Sequence, residues 1–425
     1  MKIRNFKDLA TTQRRTDGLS ILSAGLDAID THAVISKTVS LADEVLSIAG
    51  ATYDLKQFSR IRVAGVGKCS GDAAGALSEV LGGRLTDGII IDTHERSLPK
   101  NIQLRVGSHP LPEERNVQAT LQLISFLDEC TDNDLLIFIV SGGGSTLLCQ
   151  PEGAMTCADE ANIVSSLMRE GATIQETNTV RKHLSKARGG GVAKHAYPAT
   201  VAALTFSDVP GDDIAFIASG PTVQDTSTVE DARHVLSAYG LASAEKFLIE
   251  TPKEEKLFER VMNTVVVSNA IALDAMRAHA QELGYAATIV TATLSGEAQD
   301  VSRDILMQLH DAPEKTALLF GGETTVASGE ATGIGGRNQE VVLAGLSDVK
   351  EGELLVACAS DGRDNTDAAG AVCDTALAQH AKEIGIAPEE HLTKHDAYAF
   401  FEAVGGHIST GDTGSNVSDL IIALK

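Results

Sequence analysis

The sequence predicts an α/β protein of two domains, built on parallel sheets covered by helices on both faces. Three observations carry that reading. Short apolar runs alternate with helical stretches along the chain, which is the pattern of strand–helix–strand units. With no tryptophan and only 4% aromatic residues, the core must be made of Ala, Val, Leu and Ile, as suits buried parallel strands. At 425 residues the chain exceeds the roughly 250–300 residues at which a single core divides.

About the first 50 residues read as helical, because Leu19, Leu22, Leu26, Ile29, Val34, Val39, Leu41, Val45 and Ile48 recur at near-helical spacing without a proline. Strands are then expected at Ile61–Val66, Gly88–Ile91, Leu104–Val106, Leu135–Val140 and Val201–Phe206. A second set is expected at Thr264–Val267, Ala287–Val290, Ala317–Phe320, Leu354–Ala357 and Leu420–Leu424. The polar stretch that ends in TPKEEKLFER (Thr251–Arg260) separates the sets and divides residues 1–240 from 241–425. With two domains, the cleft between them is the expected place for a substrate.

A net charge of −23 argues against nucleic acid or an anionic membrane as partner. No apolar run approaches the ~20 residues of a membrane helix, and MKIRNFKDLATTQRR lacks a signal core. Cys69, Cys130, Cys149, Cys157, Cys358 and Cys373 show no CxxC spacing and read as reduced thiols of a cytoplasmic protein. So acidic a chain can bind a phosphate-rich ligand only where local cations or a divalent metal reverse the field.

Five predicted strands end in loops that carry glycines with a cation, or acids. In RVAGVGKCSG the strand runs into Gly67, Lys68 and Ser70, and a helix follows over Cys69–Leu81. It is not a Walker A loop, because Arg62 stands where the first glycine belongs and Cys69 follows the lysine. Nor is it the dinucleotide fingerprint: Gly65, Gly67 and Gly71 give GxGxxxG instead of GxGxxG. A lysine at a helix N-terminus still favours an anion. In SGGGST, Gly142, Gly143 and Gly144 leave backbone amides open to a ligand, and Ser141, Ser145 and Thr146 add hydroxyls.

In NTVRKHLSKARGGG, Arg181, Ser185 and Arg188 stand at i, i+4 and i+7 and are predicted to share a helix face. Their guanidinium forks suit a carboxylate or a phosphate. The acidic loops are SDVPGDD and SDGRDNTDAAG. Asp208 and Asp361, each directly after a strand, are candidate Mg²⁺ ligands, with Asp212, Asp364 and Asp367 as second choices; capping of the following turn is the alternative role. Glu323 in GGETT and Arg337 in GIGGRNQE complete the set. No G-x-S-x-G and no HExxH occur, so acyl chemistry and zinc hydrolysis lack support.

Together these segments resemble the D-glycerate 2-kinases, whose C-terminal half is the MOFRL domain. The resemblance extends through SHPLPEERN, IASGPTVQD and TGDTGSNVSDL and spans about residues 62 to 421. It implies transfer of the ATP γ-phosphoryl group to the 2-hydroxyl of D-glycerate, giving 2-phospho-D-glycerate and ADP, with Mg²⁺. It also implies a Rossmann-like N-terminal domain, a smaller α/β C-terminal domain and a site between them. A homodimer is compatible with it. The family's essential lysine and arginine fall on Lys68 and Arg337, and Asp208 is available to accept the hydroxyl proton. The chain departs from the family at Arg188, where lysine is usual, and in an acidic loop one residue shorter. Two rivals are weaker. An NAD(P)-dependent hydroxypyruvate reductase would want GxGxxG and a ribose-binding acid beyond it. A non-catalytic sugar-acid binding protein would need neither two Asp loops nor a Lys–Arg pair.

Overall fold

The computed structural model describes residues 2–209, 211–327 and 333–425. The chain divides into two compact units, Val34–Val266 and Met1–Ala33 joined with Val267–Lys425. This differs from the expected division at 240/241: the first 33 residues belong with the C-terminal part. The helix Gln13–Ala28 explains why. It buries Leu19, Ile21, Leu22 and Leu26. A Cβ on Gly18 would lie 2.5 Å from Leu354 Cδ2, so that helix and the sheet meet closely. Arg15 donates from Nε and Nη2 to the two oxygens of Asp374, at 2.7 and 2.6 Å, and the Tyr285 hydroxyl donates to Asp17 at 2.8 Å.

The helical reading of the first 50 residues holds as far as Thr38. Beyond it the chain forms an antiparallel meander of β1 (Val39–Ala42), β2 (Val45–Ile48) and β3 (Ala51–Asp54). Its two connections are two-residue turns, Asp43-Glu44 and Ala49-Gly50, with φ positive at every residue. Such mirror-image turns match the twist of paired strands.

The sheet of the Val34–Val266 unit contains β4 (Arg60–Val66), β5 (Leu85–Asp92), β6 (Ile102–Val106), β7 (Asp134–Val140), β8 (Thr200–Phe206) and β9 (Val261–Val267). Its order is β6-β5-β4-β7-β8-β9, and β6, β5, β4, β7 and β8 are mutually parallel. Counted from β4 this is the doubly wound order 3-2-1-4-5-6 of the Rossmann fold. β7 is buried at every residue, as a central parallel strand covered on both faces should be. β9, expected to open the second set, instead closes this sheet.

The other unit holds β10 (Ala286–Glu297), β11 (Thr316–Thr325), β12 (Leu354–Ala359), β13 (Gly370–Cys373), β14 (His407–Ile408) and β15 (Asp419–Leu424). Their order is β10-β11-β15-β12-β13-β14. Only the β10–β11 pair is parallel, so the expectation of a second parallel sheet is corrected to a mixed one. The last strand runs antiparallel between β11 and β12. The start of β15 therefore lies at the finishing ends of both neighbours, with Asp419 opposite Gly322 and Ala359. Among the described residues no helix is long and apolar enough to cross a membrane.

The Arg15–Asp374 pair ties the N-terminal helix to its unit from a buried position. Arg15→Ala should lower stability by about 3 kcal/mol, because it strands a buried carboxylate; urea denaturation measures this. Burial pushes the Asp374 carboxyl up, but the hydrogen bonds and charge of Arg15 outweigh it and hold the group below its ordinary value. The pair's contribution is thus present at neutral pH and is lost as pH falls below about 4. The Arg15→Ala variant should lose less stability across that interval.

Candidate active site

In the Val34–Val266 unit the strand order reverses between β4 and β7, and doubly wound sheets bind ligands outside the strand ends at such a point. The loops that leave β4, β7 and β8 are Gly67–Ser70, Ser141–Thr146 and Ser207–Asp213, three of the five singled out in the sequence. The first two press backbone on backbone. Lys68 N donates to Gly142 O at 3.0 Å and Ser141 N to Val66 O at 3.0 Å. Gly67 has φ +124, and a Cβ there would overlap Ser141. Ser70 Oγ donates to Gly67 O and Ile91 O at 2.7 and 2.9 Å. Ser141 Oγ accepts from Cys69 N at 3.4 Å. Both hydroxyls are buried and hold the loops together, which is a different role from the ligand contact expected of them.

Side chains take the space the glycines leave. A Cβ on Gly142 would overlap the Asp208 carboxylate. A Cβ on Gly143 would lie 3.2 Å from the His109 ring and 3.3 Å from Lys68 Cγ and Cε. Gly144 admits Ala218, 2.5 Å from its missing Cβ. Ala218 and Ser219 both have left-handed backbone, at φ 50 and 61, a strain that non-glycine residues keep only where their surroundings hold them. Ser219 is held by Ser145, hydroxyl to hydroxyl at 2.9 Å, and by Asn178 Oδ1 at 2.6 Å.

Arg181 lies near the end of the helix Ile174–Lys182. Burial, then the Arg188 charge, push its guanidinium down to about 10. Burial, then the charges of Lys68 and Arg181, push His109 down to about 4, so its ring is neutral at pH 7. Among the described residues neither Lys68 nor Arg181 has an ion-pair partner. Two cations beside a neutral imidazole are side chains of the kind that suits carboxylate or phosphate oxygens.

The rest of the basic segment serves the structure. The helix ends at Lys182, so Arg181, Ser185 and Arg188 do not share a helix face. Arg188 is buried, donating to Glu160 at 2.5 Å and to Arg181 O at 3.1 Å, and is not presented to a ligand as expected. Lys182 pairs with Asp225 at 3.1 Å. His183 is buried between Thr179 O and Glu250.

The remaining two acid- or glycine-bearing segments lie in the other unit. Gly321–Thr325 is part of β11, not a loop. At its end Glu323 accepts from Arg337 Nη1 at 2.8 Å, and Arg337 Nε donates to Asp419 at 2.7 Å. Burial works against the Arg337 charge, but Asp419 and Glu323 outweigh it and raise its pKa. Arg337 and Glu323 line a polar cavity of about 210 Å³ together with Asp361, Arg363 and Asn416. They also line one of about 710 Å³ with His395. Asp361 accepts from Arg363 N at 2.9 Å, and Asp367 from the Tyr398 hydroxyl at 2.8 Å. Asp364 is buried and accepts from the amides of Asn338 and Gln339 at 3.1 and 2.8 Å. It thereby caps the helix Arg337–Gly345, which precedes it in the chain, and not the turn that follows it. His109 and Asp419 were not singled out in the sequence.

Among the described residues no three His, Cys, Asp or Glu side chains are placed to hold a metal. Magnesium bound through substrate phosphates needs only one or two carboxylates; Asp208 and Asp361 belong to different units.

A Rossmann-ordered sheet with Lys68 and Arg181 at its switch point is of the doubly wound α/β class, whose ligands bind outside the strand ends. Residues 17–250 match a domain of unknown function, DUF4147, and residues 316–419 match the MOFRL family. The D-glycerate 2-kinase of Thermotoga maritima is 37% identical over 86% of this chain and 90% of its own length. A protein of Agrobacterium vitis, provisionally named a hydroxypyruvate reductase, is 36% identical over 91% of this chain and 92% of its own. The crystal structure of the Thermotoga maritima glycerate kinase superposes with a TM-score of 0.86 at 33% identity, covering 96% of this chain and 98% of that one. The chain belongs to the glycerate kinase family that carries DUF4147 and MOFRL regions.

The His109 ring is expected to titrate near 4 instead of near its ordinary 6.5, followed through its proton resonances. Lys68→Ala should move that titration upward; an unshifted value would mean that the lysine charge does not reach the ring.

Proposed function

We propose that the chain is a cytoplasmic glycerate 2-kinase, which transfers the γ-phosphoryl group of Mg·ATP to the 2-hydroxyl of D-glycerate. The observation that carries the reading is that Lys68 and Arg181, at the switch point of a chain of net charge −23, have no ion-pair partner among the described residues. Cations left without acid partners in so acidic a protein are in place for an anionic ligand. The family supplies the identity of that ligand.

Phosphoryl transfer asks a protein for alignment and charge neutralisation more than for covalent chemistry. Lys68 contributes a mobile point charge. Arg181, half-buried with a fixed fork, holds a carboxylate or phosphate by two parallel hydrogen bonds. Asp208 accepts the proton of the attacking hydroxyl. Arg337, with Nε and Nη1 already occupied, offers its remaining edge to an anionic oxygen. Asp208 and Asp361 are the carboxylates we assign to Mg²⁺, which when bound neutralises phosphate charge.

The second reading is the reductase, favoured by the name of the Agrobacterium vitis relative. In a dinucleotide-binding sheet the acid at the end of the second strand binds the ribose. Asp92, at the end of β5, stands there. It is fully buried, however, and accepts from the amides of Gly71, Thr93 and His94 at 2.9, 2.6 and 3.1 Å. A carboxylate so occupied has no capacity left for a ribose.

Purified protein should release ADP from Mg·ATP with D-glycerate and should not oxidise NADH with hydroxypyruvate; the converse result selects the reductase. Phosphorus NMR of the product should show the 2-phosphate. Lys68→Ala and Arg337→Ala should each slow turnover by ~10²–10³, the cost of losing one charged transition-state contact. Near-wild-type turnover in either variant would remove that residue from the reaction.

A further inference from the structure

Asp419 is the first residue of β15, set between β11 and β12. Its side chain is 1% exposed. Oδ2 accepts from Arg337 Nε at 2.7 Å, and Oδ1 accepts from Asn338 Nδ2 at 2.8 Å. Asn338 in turn donates to Asp364 at 3.1 Å, the acid that caps this helix. The backbone of Arg337 is thus fixed through Asp364 and its side chain through Asp419. A buried carboxylate is costly, and an apolar residue would often stabilise such a position. Burial drives Asp419 up to about 6 even against the Arg337 hydrogen bond and charge.

The two acids on Arg337 differ in kind. Glu323 is 51% exposed and can yield Nη1 to a ligand. Asp419 is buried on a central strand and cannot move away. Among the described residues Nη2 has no partner, so it remains for a ligand in the cavities that Arg337 lines. Resting on the role given to Arg337 above, we infer that Asp419 is a positioning residue, which aims the Arg337 guanidinium at the reacting anion and keeps it aimed when Glu323 lets go.

A double-mutant cycle tests this. Asp419→Asn keeps the shape and leaves an oxygen for one neighbour. It should fold with wild-type circular dichroism and lower kcat by ~10–100-fold, the scale of a misplaced catalytic group, while KM for D-glycerate changes by less than about threefold. In an Arg337→Ala background the same substitution should cost nothing further, since residues acting through one another are not additive. Added guanidinium ion should partly restore Arg337→Ala, and should restore it less once Asp419 is Asn. If Asp419→Asn does not fold, Asp419→Glu, which keeps the charge but shifts it, carries the same cycle. Undiminished kcat in the position-419 variant, or an additive loss in the double variant, would overturn the positioning role alone. Wild-type turnover by Arg337→Ala would overturn the role of Arg337 itself and the inference with it.

Discussion

The contact on which the rest of the switch point depends is backbone against backbone, where Gly67 meets Ser141. Neighbouring parallel strands release their chains side by side, and here the two loops lock by amide–carbonyl bonds instead of diverging. Each glycine then has a definite use. Gly67 permits the approach, Gly142 makes room for Asp208, and Gly143 makes room for His109 and Lys68. The glycine run is a rigid floor with functional side chains laid over it. Its hydroxyls are taken up in the construction, while Lys68, His109 and Asp208 lie over it.

The two units handle a cation in opposite ways. At the switch point Lys68 and Arg181 have no ion-pair partner among the described residues, and burial, followed by neighbouring cations, depresses Arg181 and His109. In the other unit Arg337 is braced by Asp419 and Glu323. A braced guanidinium is held in direction before any ligand arrives, so less freedom is lost on binding. A free lysine is adaptable, whereas a braced arginine is preorganised.

What could be read in the sequence follows from strand direction. Polar groups directly after an apolar run mark a site when strands are parallel, and that rule found Lys68, the SGGGS loop and Asp208. It failed at Asp419 because β15 runs the other way: the acid precedes its strand, yet lands at the same end of the sheet as Glu323 and Asp361. The helix-face reading of Arg181, Ser185 and Arg188 failed for a local reason. The His183 ring bonds Thr179 O, the carbonyl its own amide would take in a continuing helix, and the amide falls back to Val180 O. The helix stops, and Arg188 goes to Glu160. The meander after Thr38 escaped notice because Asp43-Glu44 and Ala49-Gly50 lack the Asn-Gly or Asp-Gly signal of such turns. His109 was hidden because a lone histidine in a loop gains meaning only from the two cations beside it.

The same physics accounts for the near misses of GVGKCSG. In a dinucleotide-binding sheet the helix after the first strand offers its open amides to a pyrophosphate. Here the corresponding helix, Ser70–Leu81, has Gly71 as its second residue, and the Gly71 amide is taken by Asp92. A buried carboxylate sits where the phosphate would be, and the positive end of the helix is partly spent on it. An anion approaching this turn must be met by side-chain charge, which Lys68 provides from just before the helix. A third glycine at position 70 would serve close helix–strand packing; Ser70 instead bonds back to Gly67 and Ile91. The loop thus departs from the dinucleotide pattern at the position where Ser70 ties the turn to β5 in place of a close-packing glycine.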